Sequence, residues 1–168
     1  QIQFDEIGMP QHSKIKSYYG DDEHTILSDF NQALGAVFNK NGNVQLTGHN
    51  IKKFDAPWII KRCLINGITP TAKLHLQKQK PWENCLLDTQ EVWKFGGWNS
   101  AKLGLISELL NIPSPKQDLE GSMVSQVYWE GNNLERIKDY CELDIGATAN
   151  IMLRISGMKI IDSLISPF

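Results

Sequence analysis

Alternation and helical spacing of apolar residues divide the first half of the chain into strands and helices. The first twenty residues alternate apolar with polar positions around Gly8 and Pro10, which predicts a hairpin whose second strand covers residues 15–19. DDEHTILSDFNQAL then has the spacing of an amphipathic helix, with Asp21 or Asp22 as its N-cap. The turn NKNGN and the short strand VQLTG lead to GHNIKKFDAPW, where a second helix begins.

The second half of the chain predicts one buried strand and two amphipathic helices. Cys85 to Leu87 are apolar and precede a turn or helix start at Asp88. SAKLGLISELLNI predicts an amphipathic helix, SPKQDLEGS a loop, and the spacing after Leu134 a long helix that ends near Ser156. Strands mixed with helices over 168 residues, without an internal repeat or linker, predict one α/β domain spanning residues 1–168.

Two roles are open for Asp55, which stands at the start of the second helix. Asp is a favoured N-cap because its carboxylate accepts the unpaired amides of the first turn. Pro57 suits a position just inside the helix, and Gly67 suits its end. This stretch by itself favours the cap over the alternative, which is a metal ligand.

Asp144 interrupts the apolar stripe of the last helix. Counted in steps of three and four, the stripe includes Ile137, Cys141 and Thr148, which would place Asp144 on the buried face. A buried carboxylate is costly unless it is hydrogen-bonded, paired or bound to a cation. Tyr140 lies one turn earlier, so its phenol can reach the same carboxylate. A structural Tyr–Asp pair and a metal ligand are both open here.

Taken together, Asn50-x-x-x-Phe54-Asp55 at a helix start and Tyr140-x-x-x-Asp144 on a late helix resemble the second and third motifs of the DEDDy-type 3′–5′ exonucleases. GHNIKKFDAPWIIKR, KPWENCLLDTQEVWKFGG, IPSPKQDLEGSMV and ERIKDYCELDIGAT resemble stand-alone bacterial proteins related to the proofreading domain of family-B DNA polymerases. The resemblance implies a ribonuclease H-like, three-layer α/β/α fold with a central mixed sheet. It also implies hydrolysis at the 3′ ends of single-stranded DNA, with RNA as a possible substrate.

The same resemblance implies a site that uses two Mg²⁺ or Mn²⁺ ions to activate water and to stabilise the leaving oxygen. Asp55 and Asp144 would be metal ligands, and Tyr140 would orient the attacking water. Asn50 and Phe54 would be neighbours of the 3′-terminal nucleotide.

Residues around these motifs have two open interpretations each. Lys52 and Lys53 would bind backbone phosphates or remain solvated. His49 would contact a phosphate, although a hydrogen bond beside the turn is favoured. Four aromatic residues would stack on bases or pack in the core, and packing is favoured for most of them: Trp82, Trp93, Phe95 and Trp98.

The first motif of that family, Asp-x-Glu on the central strand, has no clear counterpart in this sequence. Asp5 and Glu6 are adjacent and would face opposite sides of a strand. The two Asp-x-Glu pairs lie at a helix start, residues 21–23, and in a loop, residues 118–120. We therefore expect the strand that bears this motif to precede residue 1, and the 168 residues alone to cleave little or not at all. A catalytically inactive nucleic-acid-binding module of the same fold is the alternative.

Composition narrows the class of protein further. A hydrophobic share of 41% and a charged share of 21% are typical of soluble globular proteins, and no apolar stretch approaches the roughly 20 residues that span a bilayer. Three widely spaced cysteines without a Cys/His cluster argue against a zinc site and suit buried thiols in a reducing cytoplasm. A net charge of −2 argues against a broad duplex-binding surface.

Overall fold

A computed structural model describes residues 1–40, 44–74, 85–113 and 119–162 of the protein. The chain divides into two compact units, one of residues 1–17 with 101–168 and the other of residues 18–100. Residues 41–43 of the expected turn NKNGN, Trp82 and Asp118 lie outside the described residues. Residues 39 and 40 of that turn belong to the end of the first long helix. A single domain over the whole chain stays a prediction.

In the described ranges, short strands and helices are mixed up to residue 88, and helices follow. The elements are, in order, β1 (Ile2–Phe4), β2 (Pro10–Ser13), α1 (Glu23–Lys40), β3 (Leu46–Gly48), α2 (Asp55–Ile65), β4 (Leu86–Asp88), α3 (Thr89–Trp93), α4 (Leu103–Leu109), α5 (Val124–Trp129) and α6 (Leu134–Ile155). In the described ranges, 3₁₀ turns at Ala72–Leu74 and Gly121–Met123 lie between them.

The N-terminal hairpin forms, but its second strand lies earlier than the alternation predicted. β1 pairs antiparallel with β2, and Ile2 lies opposite Ser13. Asp5 fixes the connection, since its carboxylate accepts a hydrogen bond of 2.7 Å from the backbone amide of Met9. The assignment of the second strand to residues 15–19 is therefore wrong.

α1 begins as its sequence predicted, with Asp22 as the residue that caps it. The carboxylate of Asp22 accepts the backbone amide of His24 at 3.1 Å. Leu27 and Leu34 are the buried residues of the helix. The expected apolar stripe is therefore the face that packs in the core of its unit.

β3, α2 and β4 form a β–α–β arrangement within the unit of residues 18–100. The two strands pair in parallel, with Gly48 opposite Asp88. Their carboxyl ends therefore lie side by side at one edge, where the segments that follow each strand begin. The core beneath them consists of aliphatic residues from several elements: Leu34, Ile51, Ala56, Leu74 and Leu86.

α6 is the longest helix and packs against α4 and α5 in the other unit. Its bounds confirm the predicted helix, and the side chain of Asn133 caps it by accepting the amide of Arg136. The predicted stripe is confirmed at Thr148 and Ile151, which are buried, whereas Cys141 is exposed and Asp144 half-buried. Leu143 and Ala147, which the stripe did not include, are buried as well. Asp144 therefore lies beside the buried face and not in its centre.

Helices combined with small sheets confirm the α/β class. Over the described ranges, the strands form two separate two-stranded sheets. The three-layer arrangement around a central mixed sheet stays a prediction. No helix in this part of the chain is long and apolar enough to cross a bilayer. The expectation of buried thiols holds for Cys63 but not for Cys141, which is exposed.

Candidate functional site

The motif residues of the first group lie in the turn of residues 48–55, between β3 and α2. Only glycine fits at Gly48, because a Cβ atom there would lie 2.6 Å from the Cβ of Ile51. Asn50 has a φ of 61°, in the left-handed region that Asn tolerates better than most residues. Its carbonyl accepts the amide of Phe54 at 3.0 Å, which closes the turn.

The carboxylate of Asp88 holds this turn from the neighbouring strand. Asp88 is 2% exposed. Its Oδ1 accepts the amide of Asn50 at 2.8 Å, and its Oδ2 accepts the amide of Lys52 at 3.2 Å. Oδ1 also accepts the amide of Gln90 at 3.0 Å, which caps α3. The predicted cap at Asp88 is confirmed, but the link to the turn was missed by sequence reasoning.

His49 and Lys52 each have a partner on α3. Nδ1 of His49 lies 2.9 Å from Oγ1 of the buried Thr89, which supports the hydrogen-bonding interpretation of this histidine. Nζ of Lys52 forms an ion pair of 2.7 Å with Glu91. This ion pair differs from both interpretations of Lys52, which were a phosphate contact and a solvated side chain. Lys53 is exposed.

Asp55 is the first residue of α2 and not its N-cap, so the cap interpretation is wrong. The N-cap position is occupied by Phe54, which makes no side-chain cap hydrogen bond. The preceding turn already supplies acceptors, since the carbonyl of Ile51 accepts the amide of Ala56 at 2.9 Å. The carboxylate of Asp55 accepts a hydrogen bond from its own backbone amide.

The surroundings of Asp55 disfavour its ionised form. The residue retains access to solvent, but neighbouring protein atoms partly desolvate the carboxylate, and this is the main cause of its raised pKa. The nearby charge of Asp88 raises the pKa further, and His49 lowers it. A cation placed beside Asp55 would relieve this cost.

Two aromatic rings are exposed at the start of α2. Phe54 is 61% and Trp58 56% exposed, and the two rings are parallel within 8° with their centroids 6.5 Å apart. Such rings can stack on planar groups. Trp58 was not singled out from the sequence, although a spacing of four residues from Phe54 places both side chains on one face of a helix.

The aromatic residues after β4 differ in burial. Trp93 is half-buried and contacts Phe95. Phe95 is 78% and Trp98 97% exposed. Packing in the core, which the sequence favoured for most of these residues, is therefore wrong for Phe95 and Trp98.

The second group of motif residues lies on α6, in the other unit. The phenol of Tyr140 hydrogen-bonds to Asp144 one turn later, as the spacing predicted. Desolvation, followed by the charge and hydrogen bond of Asp144, raises the pKa of Tyr140 to about 12. The charge of Glu120 adds to this rise. The hydroxyl therefore stays protonated at neutral pH and donates to the carboxylate.

Gly121 leaves room beside the phenol. A Cβ atom at this position would lie 3.8 Å from the hydroxyl oxygen of Tyr140, which is ordinary van der Waals distance. Glu120 and Gly121 belong to the segment IPSPKQDLEGSMV. This segment therefore contributes to the surroundings of the Tyr140–Asp144 pair.

The structure thus gathers the predicted site residues into two groups, one in each unit. Asn50, Lys52, Lys53, Phe54 and Asp55 share the turn before and at the start of α2, and the pair on α6 forms the second group. Of the carboxylates considered for the first motif, Asp5 stabilises the hairpin and Glu23 pairs with Arg62.

The donor chemistry of these groups fits a divalent cation only in part. Asp55 and Asp144 offer carboxylate oxygens, which Mg²⁺ prefers as ligands. Among residues 1–40, 44–74, 85–113 and 119–162, however, no three or more His, Cys, Asp or Glu side chains are grouped so that they could hold a metal ion. The described residues therefore do not form a complete metal site.

Comparison with known proteins gives one match. A family model described as a predicted 3′–5′ exonuclease related to the exonuclease domain of PolB matches residues 11–161. The matched range contains both groups of site residues. No curated protein and no solved structure matches the chain significantly.

Proposed function

We propose, from the premise that the chain belongs to this family of predicted 3′–5′ exonucleases related to the exonuclease domain of PolB, that it acts at the 3′ ends of single-stranded nucleic acid. The proposed reaction is hydrolysis of the terminal phosphodiester bond. Asp55, Tyr140 and Asp144 are the proposed catalytic residues.

The observation that supports this proposal most is the turn of residues 48–55. Ligands of open α/β folds bind where parallel strands end, and this turn lies at the carboxyl ends of β3 and β4. It presents the exposed ring of Phe54 beside Asn50 and the exposed Lys53. Phe54 and Asn50 would contact the 3′-terminal nucleotide, and Lys53 would bind a backbone phosphate.

Lys52 would bind a phosphate only after leaving its present partner. Its ammonium group is paired with Glu91, and both side chains are partly exposed. Because exposed ion pairs are weak, a phosphodiester group of the bound strand can compete for the lysine. Lys52 is therefore proposed as a second phosphate contact that exchanges partners on binding.

Tyr140 would orient the attacking water. Its protonated hydroxyl donates to Asp144, which leaves the lone pairs of the phenol oxygen as acceptors for a water molecule. A water held in this way has a defined position relative to the bond that it attacks. Tyr140 would thereby contribute to the chemical step more than to substrate binding.

Mg²⁺ or Mn²⁺ is the proposed cofactor, with Asp55 and Asp144 among its ligands. When bound, such ions supply charge that activates water and stabilises the leaving oxygen. Since the described residues do not form a complete metal site, the remaining ligands are left unassigned.

Single-stranded DNA is the proposed substrate, with RNA as a second possibility. Exposed aromatic rings suit unstacked bases, which are accessible in single strands of either kind. A net charge of −2 suits contact with a few nucleotides better than a long duplex footprint. We place the activity in the cytoplasm, where reduced thiols such as those of Cys63 and Cys85 persist.

A nucleic-acid-binding module that does not hydrolyse its ligand is the second candidate. It is favoured by the structural use of carboxylates that were considered for the first motif. Asp5 accepts backbone amides of the hairpin, and Glu23 accepts hydrogen bonds from Arg62 and Asn66. Both carboxylates are therefore occupied by hydrogen bonds within the protein and are not available as metal ligands.

A single-stranded oligonucleotide labelled at its 5′ end, with Mg²⁺ or Mn²⁺, separates the two candidates. The protein as its gene encodes it is expected to give a ladder of products shortened from the 3′ end. Asp144→Asn should abolish the ladder, while Asp29→Asn, a matched change on the exposed side of α1, should preserve it.

The activity expected of the 168 residues alone follows from their two carboxylates that are proposed as metal ligands. We expect them to bind the oligonucleotide and to shorten it little or not at all, since two repelling ions need more negative charge. Binding without shortening by the encoded protein would favour the second candidate. Shortening that survives Asp144→Asn would contradict the proposed catalytic role of Asp144.

A further inference from the structure

We propose that Asp88 is a positioning residue, which holds the turn of residues 48–55 in the conformation that receives a 3′-terminal nucleotide. This inference rests on the proposed function, since the nucleotide is the ligand that it assigns to the turn. Asp88 itself would touch neither substrate nor metal. It would act through the backbone of Asn50 and Lys52.

The hydrogen bonds of Asp88 exceed what a helix cap needs. One amide, that of Gln90, is enough to cap α3. The two further bonds, to the amides of Asn50 and Lys52, reach 38 and 36 residues back along the chain. A carboxylate that is 2% exposed is costly unless its oxygens are satisfied, and here three amides satisfy them.

A second contact between the same two segments supports the assignment. Thr89, fully buried, lies 2.9 Å from Nδ1 of His49 through its Oγ1. The same hydroxyl is 3.4 Å from the carbonyl oxygen of Gly48. Asp88 and Thr89 together therefore hold four positions at the start of the turn, residues 48, 49, 50 and 52.

The turn has a conformation that needs such support. Asn50 has a φ of 61°, in the left-handed region, which is strained for a residue with a Cβ atom. Gly48 leaves no room for a side chain against Ile51. Without Asp88, the amides of Asn50 and Lys52 would lose their acceptors, and the turn would sample other conformations. Holding it in one conformation reduces the entropic cost of binding a ligand.

Asp88→Ser separates positioning from capping. Serine is a good N-cap, so the amide of Gln90 keeps an acceptor, but its hydroxyl is too short to serve Asn50 and Lys52 as well. Asp22→Ser is the matched control, because Asp22 caps α1 in the same way, through the amide of His24. Both variants change one capping Asp in the same unit.

Amide hydrogen exchange followed by NMR reports on the turn without any need for cleavage. In Asp88→Ser we expect the amides of Asn50 and Lys52 to exchange at least about tenfold faster, and the amide of Gln90 within about twofold of its original rate. Asp22→Ser should leave all three rates unchanged. Unchanged rates at Asn50 and Lys52 in folded Asp88→Ser would overturn the proposal.

The affinity for a fluorescent single-stranded oligonucleotide, measured by anisotropy in EDTA, tests the consequence for binding. Asp88→Ser is expected to bind about fivefold or more weakly, and Asp22→Ser as tightly as the unmodified chain. Faster exchange with unchanged affinity would overturn the positioning role. An unmodified chain that does not bind at all would contradict the proposed function, while the exchange rates would still decide whether Asp88 holds the turn.

Asp88→Asn keeps the test decisive if the serine variant fails to fold. Its amide oxygen can still accept the amides of Asn50 and Gln90, whereas its NH₂ group would face the amide of Lys52. Faster exchange confined to Lys52 is therefore expected. Uniformly unchanged rates would overturn the proposal in this variant too.

Discussion

Tyr140 donates a hydrogen bond to Asp144 across one turn of α6, and this bond helps to keep the phenol protonated. The pair is the part of the candidate site whose contact the sequence predicted from spacing alone. Its chemistry can be tested by removing one oxygen atom.

Tyr140→Phe should lower kcat by about tenfold or more with KM within about twofold, because a water-orienting phenol acts mainly in the chemical step. The measurement is steady-state shortening of a single-stranded oligonucleotide by the protein as its gene encodes it. Tyr19→Phe removes the same oxygen from an exposed tyrosine and serves as the control. An unchanged kcat would leave Tyr140 with a packing role only.

Asp55→Asn should not lower the stability of the metal-free protein, and should raise it slightly. The raised pKa of Asp55 shows that the folded state disfavours its ionised form, so removing the charge removes that cost at neutral pH. Melting curves in EDTA and in Mg²⁺ provide the measurement. Mg²⁺ should stabilise the unmodified chain but not Asp55→Asn, since a ligand stabilises the state that binds it.

The control for Asp55→Asn is Asp29→Asn, at an exposed position of α1. This variant should retain the full response to Mg²⁺. A large loss of stability for Asp55→Asn in EDTA would mean that the carboxylate has a structural role. Equal stabilisation of both variants by Mg²⁺ would remove Asp55 from the proposed ligands.

Gly48→Ala and Gly35→Ala should change stability in opposite directions. At Gly48 a Cβ atom would lie 2.6 Å from the Cβ of Ile51, so the turn must shift, at a cost of about 1–3 kcal/mol. At Gly35, in the middle of α1, a Cβ atom meets nothing within 4 Å. There alanine should stabilise the helix by about 0.5–1 kcal/mol. Urea denaturation of both variants tests this, and a stable Gly48→Ala would show that the turn can relax.

Signals that act over a few residues predicted where α1 and α3 begin and where α2 ends. The stop of α2 is an example: Gly67 has a φ of 70°, and the amides of Gly67 and Ile68 reach the carbonyls of Leu64 and Cys63. Such a motif is completed by neighbours in sequence, so it can be read from the chain directly. The same holds for the N-caps of α1 and α3, at Asp22 and Asp88.

Contacts between distant segments were not predictable from one sequence. The bonds from Asp88 to Asn50 and Lys52 depend on the parallel pairing of two three-residue strands, which no local pattern specifies. The buried face of α6 was predicted correctly at Thr148 and Ile151 but wrongly at Cys141, for a related reason. Which of its sides is buried is decided by α4 and α5, and the short α5 was not predicted at all.

Glu23 and Arg62 should make stability depend on pH in the acid range. The hydrogen bond from Arg62, with a smaller contribution from Asn66, lowers the pKa of Glu23 from 4.5 to about 2. A carboxylate with a lowered pKa adds stability above its unfolded pKa, and loses it as pH falls through the folded one. The contribution should therefore be complete above pH 4.5 and gone near pH 2.

Glu23→Gln measures this contribution. The side chains of Glu23 and Arg62 are both partly exposed. We therefore expect Glu23→Gln to lower the free energy of unfolding by only about 0.5–1 kcal/mol near pH 6. This loss should shrink as the pH falls from 4.5 toward 2. Glu135→Gln is the control, because Glu135 pairs with Lys138 but is 62% exposed. Denaturation curves at several pH values give the answer. If Glu23→Gln lowered the stability by the same amount at every pH, the Glu23–Arg62 ion pair would not be the cause of the loss.

Glu91→Gln should strengthen binding of single-stranded nucleic acid, because it releases Lys52. The ammonium group of Lys52 is held 2.7 Å from Glu91, so a phosphate must displace that carboxylate before it can use the lysine. Removing the charge of Glu91 frees the lysine and also removes repulsion from the phosphate. We expect about a two- to threefold tighter affinity in low salt, measured by anisotropy with a labelled oligonucleotide in EDTA.

Glu130→Gln separates this local effect from a change in overall charge. Glu130 lies just after α5, accepts a hydrogen bond from Gln126, and its loss changes the net charge by the same amount. If Lys52 binds a phosphate, Glu91→Gln should increase the affinity for the oligonucleotide more than Glu130→Gln does at low salt. The difference between the two variants should fall as salt screens the contact. Equal effects of the two variants would assign the gain to net charge alone. Lys52 would then have no place among the substrate-binding residues, and Lys53 would remain as the phosphate contact of the turn.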